Sequence, residues 1–373
     1  MPDVQEKSLS QTREARRFAL IRLLISQERY FLLIIGFLFL LTGALYPYPS
    51  VAMWIGFVLA GYSAIANDSI QTIGTFIASN AHRKWWHLWL YIGLIFVITV
   101  VSSWLLYDGD VTYQRLSTKG FERAPTQFAF LQIAAPLFLL IITRLRMPVS
   151  TTFLLLSSFT TDPHTIVDIL EKSLTGYGIA FVMALSVWYL LSRLIKKMLI
   201  GKAHRAWDVA QWMTSGTLWA VWIMQDAANI AVYLPRQLDI YQLLAFTGFI
   251  FFGLGLIFYL KGDKIQQVVN EKSEVTDVRA ATLIDLVYAL ILFMFQWAST
   301  VPMSTTWVFI GLLGGRELAM KFRQHPESLR KTLRMITKDV LFAGIGLAVS
   351  IMIAIAVNPV VYEELLSYLK VWF

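Results

Sequence analysis

The stretch IANDSIQTIGT (65–75) places a carboxylate, Asp68, among amides in a part of the chain that is otherwise apolar. A second stretch, MQDAANIAVY (224–233), places Asp226 in the same kind of setting. An acid at the centre of a membrane-spanning helix costs roughly 2.5–3.5 kcal/mol on insertion scales, so such a residue is a functional candidate by default. The duplication indicates that the two acids serve a common purpose.

The composition around these stretches is typical of a membrane protein. Of the 373 residues, 57% are hydrophobic and only 15% are charged, whereas soluble domains carry about 25% charged residues. Long apolar runs at 89–107, 243–260 and 340–357 approach the roughly 20 residues that a helix needs to cross a bilayer. The sequence therefore predicts an all-α polytopic membrane protein. It contains no cysteine, which excludes disulfides and thiolate metal sites.

The net charge of +8 is expected to lie in cytoplasmic loops rather than to bind nucleic acid, because Lys and Arg favour the inner side of a membrane. The sequence predicts about eleven crossings, of which 148–170 is expected to be broken. With the N-terminus in the cytoplasm, this topology places most Lys and Arg on the cytoplasmic side of the membrane. The crossings are 30–46, 51–80, 85–107, 126–146, 148–170, 174–199, 208–234, 241–261, 281–297, 301–322 and 335–359.

Two motifs occur twice, in the same order and at nearly the same spacing. ANDSIQ (66–71) matches MQDAAN (224–229), and MPVSTTF (147–153) matches VPMSTTW (301–307). A copy with an odd number of spans enters the membrane from the opposite side, which predicts two inverted five-span repeats with broken helices at the midplane, as in secondary transporters. The predicted divisions are a cytoplasmic arm at 1–29, an extra span at 30–50, repeats at 51–199 and 208–359, and a tail at 360–373.

The Ser-Thr-Thr motifs are expected to start helices inside the membrane. Proline is favoured in the first turn of a helix, and hydroxyls that follow it lie near the exposed backbone N–H groups. Such a helix start suits an anion, although these side chains could instead only cap a helix or bond to their own carbonyls. The candidate residues are Ser150, Thr151, Thr152, Ser304, Thr305 and Thr306.

The acidic motifs offer ligands for a cation. On a helix, Asp68 shares a face with Gln71, and Asp226 shares one with Asn229. Their carboxylate and amide oxygens could hold a small cation such as Na⁺, while the amide N–H groups could donate to an anion. A dianion cannot rest beside two bare carboxylates unless cations or protons neutralise them, which would couple anion entry to cation entry. The alternative is an acid pair bonded within the bundle or capping broken helices.

Together these motifs resemble those of the inorganic phosphate transporter (PiT) family. ANDSIQTIGT is similar to the Gly-Ala-Asn-Asp-x-x-Asn-x-x-Gly-Thr signature of that family, and PVSTTF and PMSTTW are similar to its Pro-Val-Ser-Thr-Thr-His element. In pattern the resemblance spans 51–320. It implies a symporter of phosphate, or of sulfate, that is driven by Na⁺ or H⁺ and needs no other cofactor.

By the same resemblance, specific positions would bind the oxyanion and its coupling cation. The cation is expected at Asp68 and Asp226, with Asn67 and Gln225 as further ligands. The positions carried over from the family are Asn67, Asp68, Gln71, Ser150, Thr151, Gln225, Asp226, Asn229, Ser304 and Thr305.

The chain departs from the family pattern at several positions. Phe153 and Trp307 stand where the family has His, and Gln71 and Gln225 replace Asn. Because of these differences two alternatives remain. One is a permease for sulfate or another anion, and the other is a non-transporting membrane sensor or scaffold.

An enzyme and an anion channel are two further classes, which are less consistent with the motifs. An enzyme is disfavoured because no His lies near either Ser-Thr-Thr as a general base, and an anion channel would not need the acid pair. The expected location is the cell (cytoplasmic or inner) membrane, as a multi-pass protein with a cytoplasmic N-terminus and a possible homodimer.

Overall fold

The computed structural model describes residues 28–145, 149–260, 277–322 and 326–363, together with residue 366. Within that part of the chain every regular element is a helix. Most of the predicted N-terminal arm and most of the predicted tail lie outside the described residues.

The architecture is a bundle of thirteen described helices, with Ala64–Asp68 forming a π-helical turn between the second and the third. The helices are α1 (Glu28–Leu45), α2 (Pro49–Ser63), α3 (Ser69–Ser79), α4 (Trp85–Leu106), α5 (Phe130–Arg144), α6 (Thr151–Leu156), α7 (Pro163–Leu190), α8 (Ser192–Met198), α9 (Ala206–Ala231), α10 (Ile240–Tyr259), α11 (Val278–Ala298), α12 (Thr305–Phe322) and α13 (Pro326–Val357).

Seven of the described helices are long and apolar enough to cross a membrane, namely α1, α2 with its π turn, α4, α7, α10, α11 and α13. Large apolar side chains cover the outside of the bundle, with Leu40 76% exposed and Trp297 88% exposed. Such a surface is stable against lipid but not against water. The expectation of an all-α polytopic membrane protein is confirmed. Helix α5 is apolar but shorter, and α9 and α12 carry polar motifs.

The boundary predicted between the crossings 148–170 and 174–199 is wrong. Helix α6 has only six residues, or about 9 Å of helix, and α7 then runs without a break from Pro163 to Leu190. The start of α7 has a local cause, because the Asp162 side chain accepts a hydrogen bond from the His164 N–H at 3.1 Å and Pro163 occupies the first turn. The broken crossing therefore ends near residue 162.

The expectation of broken helices holds for the Ser-Thr-Thr segments but not for the acidic ones. Asp68 ends the π-helical turn that joins α2 to α3, and Asp226 lies inside α9. No proline follows Pro49 before residue 80, so nothing removes the backbone N–H groups that keep this helix continuous. The π turn inserts an extra residue instead of a break, a feature that is frequent at functional sites.

The two Ser-Thr-Thr helices leave the centre of the bundle in opposite directions. Just after α6, the Thr161 N–H donates to the Gly120 carbonyl at 2.9 Å, in the loop at 107–129. Helix α12 instead runs parallel to α7, towards the end of the bundle where α8 follows α7, because Gly311 lies against Tyr177 and Gly315 against Phe181. Opposite directions are what an inverted repeat requires. The repeat boundaries at 51–199 and 208–359 stay a prediction.

The Gly-rich stretch GLLGGRELAM (311–320) has a packing role in this fold. A methyl group on Gly311 would collide with the Tyr177 carbonyl oxygen, and one on Gly315 would collide with the Phe181 carbonyl oxygen. Small residues four apart let two membrane helices approach until their backbones touch. This contact fixes α12 against α7 and thereby fixes the start of α12.

Candidate functional site

Each Ser-Thr-Thr motif starts a buried helix with its serine as the N-cap. The Ser150 hydroxyl accepts from the Phe153 N–H at 3.2 Å, and the Ser304 hydroxyl accepts from the Trp307 N–H at 3.3 Å. This is the capping that the alternative interpretation of the motif predicts. It uses the serines and leaves the two threonines of each motif for other contacts. Pro148, which precedes the first motif, lies outside the described residues.

In the first half, the acid and the helix start meet directly. The Thr151 hydroxyl donates to Asp68 Oδ2, and both side chains are buried. Gln71 is half-buried and makes no hydrogen bond to a described side chain of this cluster. The Asn67 side chain lies outside the described part of the structure. The contact fixes α6 against the π-helical turn.

In the second half, Asn229 and Asp226 lie on one face of α9, as their spacing predicts. Asn229 Nδ2 donates to Asp226 Oδ1 at 2.6 Å, and the Thr305 hydroxyl lies beside the same carboxylate. Gln225 turns to α11 instead, with its Nε2 donating to the Leu292 carbonyl at 3.3 Å. The acid of this half is therefore also held next to a helix start.

The two halves are joined through one hydroxyl. Thr152 Oγ1 accepts from Asn229 Nδ2 at 3.2 Å and donates to the Met303 carbonyl, just before the second motif, at 3.1 Å. The two carboxylates, Asp68 and Asp226, are near enough to interact electrostatically. The four motifs thus converge on one buried cluster.

Three oxygens of α9 have no hydrogen-bond partner among the described residues, namely Asp226 Oδ2, Asn229 Oδ1 and Gln225 Oε1. A buried acceptor without a donor costs about 1–3 kcal/mol. These atoms come from one carboxylate and two amides, and such oxygens are ligands for hard cations. Bonding within the bundle accounts for Asp226 Oδ1 but not for these three atoms. Asp226 and Asn229, which lie on one face of α9, therefore fit a small cation such as Na⁺, whereas Gln225 is turned towards α11.

Asp285 is a further buried acid, and it lies outside the repeated motifs. It lies inside α11 and accepts hydrogen bonds from the Thr75 hydroxyl, at 2.7 Å, and from the Ser215 hydroxyl. Its signal in the sequence is an acid within the apolar run at 281–297, but it occurs once, so a search for duplicated motifs does not find it. Asp285 links α3, α9 and α11.

The Asp285 contacts continue as a directed chain of donors. Trp212 Nε1 donates to Asn80 Oδ1 at 3.0 Å, and an indole N–H can only donate. The Asn80 amide must then donate to Gln211 Oε1, at 2.8 Å, and Gln211 Nε2 donates to the Ser215 hydroxyl at 3.0 Å. Ser215 is left to donate its own proton to Asp285. Every donor in the chain therefore points towards the buried carboxylate of Asp285.

Two basic side chains and a tyrosine also support the start of α12, and the sequence analysis named none of them. The Tyr288 hydroxyl donates to the Thr305 carbonyl at 3.0 Å. Arg115 and Lys172 both donate to the Val301 carbonyl. These residues lie outside the repeated motifs, so their positions could not be inferred by comparing the two halves.

The fold and the cluster define a polytopic α-helical membrane protein in which two inwardly directed helix starts and two acids share one buried site. No protein-family model and no curated protein sequence matches the chain. A solved structure described as "The sodium-dependent phosphate transporter" has a similar fold, with a TM-score of 0.55 and 18% sequence identity over 85% of this chain and 99% of that chain. At this identity the likeness shows the fold alone.

Proposed function

We propose that this protein is a secondary active transporter, a symporter that carries an inorganic oxyanion together with Na⁺. The observation that carries the proposal is the convergence of two helix starts, from Thr151 and Thr305, on the paired acids Asp68 and Asp226. Phosphate is the first candidate because the fold is similar to that of a sodium-dependent phosphate transporter. Sulfate, which is also tetrahedral, is the second.

The cation would bind first to the α9 oxygens. Asp226 Oδ2 and Asn229 Oδ1 have no donor among the described residues, so a cation there would satisfy them and cancel one negative charge. An equivalent ion at Asp68 would cancel the other. We put Na⁺ first because the similar solved structure is described as sodium-dependent. H⁺ is the alternative, since a proton on Asp226 Oδ2 would make that oxygen a donor to a neighbouring acceptor such as Asn229 Oδ1.

The oxyanion would then bind at the helix starts. First-turn backbone N–H groups supply donors, and each helix presents the positive end of its dipole. The hydroxyls of Thr151, Thr152, Thr305 and Thr306 would join them by exchanging their present contacts, such as those of Thr151 with Asp68 and of Thr152 with the Met303 carbonyl, for the anion. Without cations, two carboxylates would repel a dianion from the same site. Binding of the anion therefore depends on binding of the cation, which is the requirement for symport.

Transport would follow from movement of the two halves about this cluster. Because α6 and α12 run to opposite ends of the bundle, a change in their relative position can open the site to one side at a time. The contacts of Thr152 with Asn229 and Met303 cross between the halves and would change in that movement. We place the protein in the cell membrane with its N-terminus in the cytoplasm and keep the homodimer as part of the proposal. No catalytic residue, nucleic-acid partner or cofactor besides the coupling cation is involved.

The test is uptake of labelled phosphate into proteoliposomes that contain the purified protein. With an inward Na⁺ gradient we expect accumulation, which should fall to the background of empty liposomes when choline replaces Na⁺ at the same pH. Competition by unlabelled sulfate measures how well the site discriminates between the two anions. Uptake without any cation gradient would indicate a channel, and uptake of neither anion under a Na⁺ or a proton gradient would refute the proposal.

A further inference from the structure

Arg115 is fully buried although it lies in a loop. It begins a short 3₁₀ turn, Arg115–Ser117, between α4 and α5, and none of its surface is exposed. Its guanidinium donates to the carbonyl of Ser299, to the carbonyl of Val301 at 3.1 Å and to Gln296 Oε1. These acceptors belong to the end of α11 and to the extended segment that leads into the second Ser-Thr-Thr motif.

Lys172 reaches the same segment from α7. Its Nζ donates to the Ser299 carbonyl at 3.2 Å and to the Val301 carbonyl. The next residue, Ser173, accepts a hydrogen bond from the Ser304 N–H at 2.8 Å. The two basic groups therefore share the same two carbonyls, directly beside the start of α12.

This basic pair has no ion pair with a described carboxylate. Asp226 acts on Arg115 only through space, and although burial lowers the pKa of Arg115 to about 10, the guanidinium stays charged at neutral pH. Arg115 Nε has no hydrogen-bond partner among the described residues. Carbonyls at the end of α11 stabilise the positive charges in part, but buried cations without a counter-ion remain costly.

The net charge around Arg115 and Lys172 depends on whether a cation is bound at Asp226. In the empty protein Asp226 partly offsets Arg115. A cation bound at the oxygens around Asp226 would neutralise that carboxylate. Arg115 would then lose its partial counter-charge, and the basic pair would be left with an excess of positive charge. A nearby anion would also favour the protonated form of Lys172.

Resting on the symport function proposed above, we infer that Arg115 and Lys172 form a second anion subsite. It would bind a tetrahedral oxyanion on its way between the 107–129 loop face and the central cluster. Arg115 contributes its free Nε–H and its positive charge, and Lys172 contributes a flexible point charge next to Ser304. The subsite fills after the cation, because a cation at Asp226 removes the partial counter-charge of Arg115.

The experiment separates charge from hydrogen bonding. Lys172→Gln keeps a donor for the carbonyls but removes the charge, whereas Arg115→Lys keeps the charge but loses most of the donors. Equilibrium binding of labelled inorganic phosphate to the purified protein at saturating Na⁺ is measured for each. We expect Lys172→Gln to weaken phosphate binding about tenfold to a hundredfold, the usual loss for a charge-assisted hydrogen bond, and Arg115→Lys to weaken it as well, because it removes the Nε–H that we assign to the anion.

Arg236 provides the matched control. It is a mostly buried arginine in the next loop on the same face, with Nε donating to the Phe121 carbonyl at 2.7 Å and Nη1 to the Leu234 carbonyl at 3.1 Å, but it has Asp110 nearby to balance its charge. Arg236→Gln should lower the melting temperature without changing phosphate affinity. If Lys172→Gln does not fold, Arg115→Gln takes its place with the same expected loss.

Wild-type phosphate affinity in Lys172→Gln would overturn the inference and leave the proposed function standing. So would wild-type phosphate affinity in Arg115→Lys, since the Nε–H of Arg115 would then take no part in binding the anion. Failure of the wild-type protein to bind phosphate or sulfate would instead refute the proposed function itself.

Discussion

At the scale of single residues, Thr152 is the side chain on which the two halves of the site depend. Its hydroxyl accepts from Asn229 and donates to the Met303 carbonyl, so one oxygen joins α6, α9 and the segment before α12. Unlike Ser150, which caps its helix, Thr152 is free to make contacts outside its own helix. A buried hydroxyl in such a position is costly to remove because both of its partners lose a bond.

The first prediction is that Thr152→Val, which conserves shape, lowers the apparent affinity for the oxyanion about tenfold, because Asn229 and the Met303 carbonyl are left with an unmet bond. The measurement is the dependence of Na⁺-driven uptake on phosphate concentration. The control is Thr247→Val in α10, where the hydroxyl bonds to carbonyls of its own helix, those of Leu243 at 2.7 Å and Leu244 at 3.4 Å. An equal effect of the two substitutions would show that Thr152 has no special role.

Residues of the site could be predicted where the chain repeats itself. Asp68 and Asp226 stand out because acids are rare in apolar spans, and their recurrence beside amides marks them as a pair. Asp285, Arg115 and Lys172 have no such counterpart, and the last two come from elements distant in sequence from the segment that they contact. Their role follows from three-dimensional packing, which no local pattern encodes.

At the scale of elements, the contact between α7 and α12 sets the position of the second helix start. The backbones touch at Gly311 and Gly315, so the first turn of α12 cannot shift without separating the two helices. Close-packed membrane helices of this kind are held by van der Waals contact rather than by the hydrophobic effect.

The second prediction is that Gly315→Ala pushes α12 away from α7, since the added methyl group meets the Phe181 carbonyl oxygen. Overpacking of this kind costs roughly 1–3 kcal/mol, so we expect a lower melting temperature in detergent and weaker Na⁺-driven uptake. Gly248→Ala in α10 is the control, because a methyl group there meets nothing within 4 Å. Unchanged stability and uptake in Gly315→Ala would contradict the role of this contact.

Helices were easier to predict than their boundaries. Apolar length identifies α4, α10 and α11 directly. The division between α6 and α7 was placed too late, although Asp162 and Pro163 form an ordinary helix start, because the apolar pattern continues on both sides of it. The π-helical turn at Ala64–Asp68 has no proline or other local signal in the sequence, and it ends at the residue that accepts from the Thr151 hydroxyl.

At the scale of the whole molecule, two acids share one site. Asp68 is held by Thr151 and Asp226 by Asn229, and the two carboxylates interact electrostatically. In the proposed function an anion joins them only when cations do, and the inverted directions of α6 and α12 would give the two halves equivalent but opposite roles in opening the site.

The most direct measurement is Na⁺-driven uptake of labelled phosphate by Asp68→Asn and Asp226→Asn in proteoliposomes, with Asp168→Asn, an exposed acid on α7, as the control. Each of the first two removes a cation ligand charge and should abolish coupled uptake while the purified protein still elutes as a folded species. The control should transport as the wild type does. Full Na⁺-dependent uptake in both Asp68→Asn and Asp226→Asn would contradict the account.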